Sequence, residues 1–156
     1  NIGIKKYIGK VTSGRFYEYF AEEARNQLGI NYATRDEAKT KMFMILFTDN
    51  RFIGQKEAEF KRLFRDLFPE VYQVFNRIKK GKKNRLSIIL QRIESFLFLD
   101  VICKSINRDH PDIPLFTIHD SIATTVEFHQ KVKDIMFNTL NEFVGHKPIL
   151  KDEKWC

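Results

Sequence analysis

The chain has 156 residues, of which 43% are hydrophobic and 30% charged, with a formal net charge of +7. That length carries one ordinary domain with its own core, and the composition excludes an intrinsically disordered chain. The positive balance favours polyanionic partners, with nucleic acid first and an acidic membrane surface second, although a basic surface also serves solubility alone.

Residues 1–12 contain Gly3 and Gly9 with little periodicity and read as loop or edge strand. Phe16, Phe20, Ala24 and Leu28 recur every four residues, which predicts a helix over 13–28 that Gly29 can end. Thr34 followed by Glu37 is a capping box that opens a second helix, running to residue 48 or 49. A third helix is expected over 55–68, with Phe60, Phe64 and Phe68 as core, and a fourth over 69–80 beginning at Pro69. The run 79–85, KKGKKNR, is a basic turn. A long helix follows from residue 84 or 85 to about 107, carrying Ile88, Ile89, Ile93, Phe96, Leu97 and Val101. Residues 109–114 break it. A β-hairpin is expected over 113–127, then a helix over 128–144 with Val132, Ile135, Met136, Leu140 and Phe143 inward, and a short strand over 148–155. The sum is a helix-rich α+β fold with a small antiparallel sheet, read as a single domain over 1–156.

The longest apolar runs are interrupted by Arg, Glu, Asp or Lys, so no transmembrane helix and no membrane partner is expected. No signal peptide is recognisable. Cys103 and Cys156 form neither a metal spacing nor a disulfide framework, and Cys103, in an apolar helical run, reads as a buried thiol in a reduced, cytoplasmic setting. The chain opens Asn-Ile-Gly without Met and reads as a fragment, a processed product or a trimmed form.

Three features carry chemistry. The first is IPLFTIHDSIATTVE at 113–127, where two β-prone runs flank His119-Asp120. A carboxylate on a rigid hairpin tip is placed to hold a divalent metal, although His-Asp is also an ordinary turn pair. The second is the 34–49 helix, where Arg35, Lys39, Phe43 and Phe47 fall at four-residue steps and form one stripe, cationic at its start and aromatic at its end. A triphosphate needs positive donors and a base needs a flat apolar surface, and the stripe offers both in that order. The plain alternative is an amphipathic helix with Met42, Ile45 and Leu46 on the core and Arg35 and Lys39 solvated. The third is the basic run Arg77, Lys79, Lys80, Lys82, Lys83 and Arg85, which is either a solubilising loop or a track for nucleic-acid phosphates. The four histidines show no zinc spacing, no Gly-rich phosphate loop is present, and no Ser-His-Asp arrangement is evident. A His-Asp phosphohydrolase would need further His and Asp ligands that this order does not supply.

Arg35-x-x-x-Lys39-x-x-x-Phe43-x-x-x-Phe47 resembles the nucleotide-binding helix in the fingers of family A DNA polymerases, a pattern largely shared by phage-type single-subunit RNA polymerases. His119-Asp120 resembles the last motif of those enzymes, about seventy-five residues beyond Phe43. Phe68-Pro69-Glu70-Val71 resembles a turn that follows the nucleotide helix. Gln91 occupies the region of a glutamine that approaches the primer–template minor groove. The resemblance covers most of 13–155, with fingers-like helices at about 34–80 and a palm-like part at about 84–156. It implies that Arg35 and Lys39 bind the triphosphate, Phe43 and Phe47 surround sugar and base, Asp120 binds Mg2+ and His119 lies near the primer end. Lys83 and Arg85 would contact primer–template phosphates. The implied substrates are a dNTP or NTP and a primer–template; no specific protein partner can be inferred.

The chain also departs from the pattern. Phe47-Thr48 stands where a Tyr-Gly pair is usual, which bears on sugar discrimination and helix-end geometry. Ser121 follows His119-Asp120 where DNA polymerases usually have Glu, a choice closer to RNA polymerases. The family's first motif carries another metal-binding Asp, but 1–33 has only Glu18, Glu22 and Glu23 as carboxylates, on a predicted helix. That motif is therefore expected to lie upstream. Nucleotidyl transfer with two Mg2+ ions needs bridging carboxylates, so the chain alone is expected to be inactive or nearly so. The competing expectation is a non-catalytic nucleic-acid-binding remnant.

Overall fold

Aromatic side chains one helical turn apart organise the first half of the molecule. The computed structural model describes residues 2–30, 35–118 and 120–154. The chain divides into two compact units, Asn1–Ile89 and Leu90–Cys156.

The first unit contains helices α1 (Ile2–Thr12), α2 (Phe16–Leu28), α3 (Arg35–Phe47), α4 (Glu59–Leu67) and α5 (Pro69–Lys79). Phe16, Phe20, Met42, Ile45, Phe60, Leu63, Phe64, Phe68 and Val71 are buried together. Phe64 and Phe68 are fully enclosed, with ring centroids 5.4 Å apart, and Phe75 stacks on Phe64 at 5.9 Å. Pro69 opens α5 at a position where its missing N–H has no helical partner to lose. Gly29, at φ 67°, closes α2 in the left-handed conformation, and its N–H donates to the Arg25 carbonyl.

Two expectations need correcting here. Residues 2–12 are helix, not loop or edge strand. Ile4 and Tyr7 recur at helical spacing and pack on the core, and Tyr7 meets Phe16, Phe64, Phe68 and Phe75 edge-on. Gly3, which weakens the helix signal, lies where the Glu70 carboxylate comes so close that a Cβ would collide with it. The third helix begins later than residue 55: short 3-10 turns at Asn50–Phe52 and Lys56–Ala58 lead into α4. Thr34 of the capping box lies outside the described residues.

In the region 85–109, α6 (Arg85–Ser95) passes into a π-helical stretch (Phe96–Cys103) and then α7 (Lys104–Asp109). Leu86 is buried in α6; the π stretch then shifts the helical phase, so the buried positions beyond it are Ile102, Cys103 and Ile106, whereas Ile93 and Phe96 are exposed. The second unit continues with β1 (Phe116–Ile118), β2 (Ser121–Ala123) and α8 (His129–Val144). Its core joins Ile102, Ile106, Ile113, Val132 and Leu140, with Ile135 and Met136 packed against it. Phe143, expected inward, is exposed and touches Phe96 edge-on at 6.1 Å. Residues 148–154 form no strand. Asp152 is held to α8 through His129 Nε2 at 3.2 Å and Lys133 Nζ at 2.5 Å, so side chains rather than a backbone ladder fix the tail. Cys103 is a buried free thiol, and burial raises its pKa. Among the described residues no helix is long and apolar enough to cross a membrane.

Candidate functional site

Helix α3 sorts its side chains by face. Ala38, Met42 and Ile45 are buried, and Leu46 packs against the same cluster, as an amphipathic helix requires. The stripe lies on another face. Phe43 and Phe47 are 44% and 39% exposed and stack nearly parallel, with centroids 5.6 Å apart and planes 13° from parallel. Lys39 Nζ lies 5.8 Å from the Phe43 centroid, within cation–π range. Lys39, Phe43 and Phe47 thus form one continuous exposed surface of a cation followed by two stacked rings. Arg35 is drawn aside onto α2: its Nε pairs with Glu18 at 3.2 Å, and its guanidinium lies over the Tyr17 ring.

The carboxyl end of α3 carries groups that the sequence reading passed over. A helix leaves its last carbonyls without internal partners, and cations are favoured there. Lys61, 5% exposed, donates to the Thr48 carbonyl at 3.2 Å, to Thr48 Oγ1 at 2.7 Å and to the Asp49 carbonyl at 2.9 Å. Lys79, 6% exposed, donates to the Ile45 carbonyl at 3.0 Å and to Asn50 Oδ1 at 3.3 Å. Lys79 therefore leaves the exposed basic run in which the sequence placed it. Burial and the nearby Lys61 charge push its pKa down to about 8, against the pull of Asp49. Burial also lowers the pKa of Lys61, again opposed by Asp49. Periodicity held the clue: Lys61 shares an i, i+3, i+7 face with Phe64 and Phe68, and Lys79 an i, i+4, i+8 face with Val71 and Phe75.

The rest of the basic run behaves as a turn. Gly81, at φ 77°, supplies the left-handed residue, and the N–H groups of Lys82 and Arg85 donate to the carbonyls of Lys79 and Lys82 at 3.0 Å each. Lys80, Lys82, Lys83 and Arg85 are exposed, as is Gln91 on α6.

Asp120 lies in the tight turn of the hairpin, exposed to solvent. The strands pair antiparallel, Phe116 with Ala123, Thr117 with Ile122 and Ile118 with Ser121, which leaves a two-residue connection. His119 lies outside the described residues. The stripe belongs to the first unit and Asp120 to the second. Among the described residues no three His, Cys, Asp or Glu side chains cluster as a metal-ligand set. Mg2+ seeks six oxygens in octahedral array, and one hairpin carboxylate does not fit a two-metal centre.

Comparison with protein-family models, with curated proteins and with solved structures finds no match to this chain.

Proposed function

We propose that this chain is a palm-and-fingers portion of a family A-like, template-dependent nucleic-acid polymerase, and that its own part is to bind a nucleoside triphosphate and a primer–template. The observation that carries this reading is the exposed Lys39–Phe43–Phe47 surface. An ammonium attracts phosphate, and two stacked rings left in solvent offer the flat apolar platform on which a sugar and base rest. Arg35 adds a second cation, which exchanges Glu18 for a phosphate. Lys83 and Arg85 at the basic turn track the primer–template backbone, with Gln91 beyond them.

The hairpin supports the same reading. Phe116 is 69% exposed and Ile118 47%, and a two-stranded ribbon with apolar side chains in solvent is marginal alone. Such a ribbon has room for a further strand at its edge. The described residues supply one carboxylate there, so the two-metal chemistry of the resemblance is not assigned to them. That lone carboxylate favours a second reading, a non-catalytic nucleic-acid-binding remnant. Within the enzyme class, Ser121 leaves a phage-type RNA polymerase as the other variant.

Titration with a dNTP, followed at the ring resonances of Phe43 and Phe47, tests the site. Saturable shifts that weaken in Lys39→Gln support it; unchanged rings at saturating nucleotide overturn it. Primer extension then separates the two readings. A longer form with an Asp-bearing strand ahead of α3 extends a primer, and loses extension with Asp120→Asn, if the polymerase reading holds. Binding without extension in that form selects the remnant.

A further inference from the structure

A cavity of about 240 Å³ opens at the carboxyl end of α3, on a different face of the helix from the stripe. Met44, Ile45, Phe52, Ala58 and Phe60 form its apolar walls, and Lys41 and Lys61 bring two positive charges to it. The walls are fixed from α4. Lys61 spends its three donors on Thr48 and Asp49, and Arg62 Nη1 donates to the carbonyls of Ile53 at 2.8 Å and Gln55 at 2.6 Å. The loop between α3 and α4 is thereby held open rather than collapsed onto the helix. Asp49, the one carboxylate among the described lining residues, is taken by Arg51 through its backbone N–H and Nε, each at 2.9 Å. Lys41 differs. It is half-buried, its Nζ lies 5.2 Å from the Phe60 centroid, and among the described residues it has no ion pair.

We propose that this cavity binds a small amphipathic anion, with a flat apolar body among Met44, Phe52, Ala58 and Phe60 and its acid group on the Lys41 ammonium. Pockets of this kind are mostly apolar with a few fixed polar groups that orient the ligand. The volume is just below the ~300 Å³ at which sites for drug-sized ligands begin, which limits the body to about two fused rings. Two lysines facing one neutralised carboxylate select an anion over a cation.

The probe is naphthoate, with naphthalenemethanol as its uncharged counterpart, titrated into the full chain and followed at the methyl signals of Met44, Ile45 and Ala58. Naphthoate is expected to shift these signals saturably. Lys41→Gln should weaken it about tenfold, the loss of roughly 1.4 kcal/mol, and Lys41→Arg should retain it; equal melting temperatures of both variants confirm their folding. Absence of saturable shifts, equal affinity for naphthalenemethanol, or indifference to Lys41→Gln would overturn the assignment. Because the readout lies away from Phe43 and Phe47, failure here is distinct from failure of the nucleotide site.

Discussion

Lys79 Nζ lies 3.0 Å from the carbonyl oxygen of Ile45, so the last turn of α5 supplies a donor that the last turn of α3 lacks. Lys61 does the same for Thr48 and Asp49 from α4. The helix that carries the proposed nucleotide surface is thus anchored at its carboxyl end by two buried ammonium groups, one turn from Phe47.

This anchor has a pH signature. The pKa of Lys79 is depressed to about 8 in the folded chain, whereas an unfolded lysine titrates near 10.4. Between those values the unfolded chain binds more protons, so this group makes stability rise with pH across that window. Lys61 shifts the same way, while the partly buried Tyr7, with its raised pKa, acts oppositely near pH 10. The difference between wild type and Lys79→Met isolates the effect. In urea unfolding, the stability of wild type relative to Lys79→Met should increase from pH 8 to pH 10; a pH-independent difference would show that Lys79 is not held charged against burial.

Lys61→Met keeps the aliphatic packing but removes three part-buried hydrogen bonds from the end of α3, so Thr48 and Asp49 lose the ammonium donor. The expected loss is about 2–4 kcal/mol in chemical denaturation. A loss below about 0.5 kcal/mol would mean that water replaces the ammonium without cost.

Tyr7 joins α1 to α2, α4 and α5 through four edge-on ring contacts. Tyr7→Ala is expected to lower stability, by less than the ~3–5 kcal/mol of a fully buried aromatic truncation because the ring is only partly buried. If the variant melts like wild type, α1 is not integral to the first unit.

The stripe should respond differently. Phe43 and Phe47 are partly exposed and chiefly pack on each other, so Phe47→Ala is expected to cost about 1 kcal/mol or less. Its effect on dNTP affinity should be larger, about five- to tenfold, since base and aromatic stacking is worth about 1–3 kcal/mol. Parallel melting and nucleotide titrations check this; an affinity change no larger than the stability change would remove the stacking role.

Much of this arrangement was legible in the sequence because it follows period. The four-residue recurrence of Phe16, Phe20 and Ala24 marked α2, and the paired β-prone runs around His119-Asp120 marked the hairpin. Phe60, Phe64 and Phe68 were core positions in the sequence and are core in the fold. What escaped depends on tertiary context. Two glycines hid α1, whose stability comes from Tyr7 on a distant aromatic cluster and not from helix propensity. Charge hid Lys79, because a lysine in a basic run reads as solvated until the carbonyls of another helix are placed beside it. The π stretch at Phe96–Cys103 moved burial to Ile102 and Ile106 without any change of composition. For the proposed site, the sequence set out the stripe, and the fold added that Arg35 is already paired with Glu18.

The measurement that tests the central claim most directly is the salt dependence of primer–template affinity for the 156-residue chain. Fluorescence anisotropy over a series of ionic strengths should give a linear fall of log K with log salt. Each phosphate contact contributes a slope of about −0.9. Lys83→Gln combined with Arg85→Gln should reduce that slope by about two, with stability unchanged because both side chains are exposed. Absent or salt-insensitive binding, or an unaltered slope in the double variant, would contradict the assignment of this chain to nucleic-acid recognition through its basic turn.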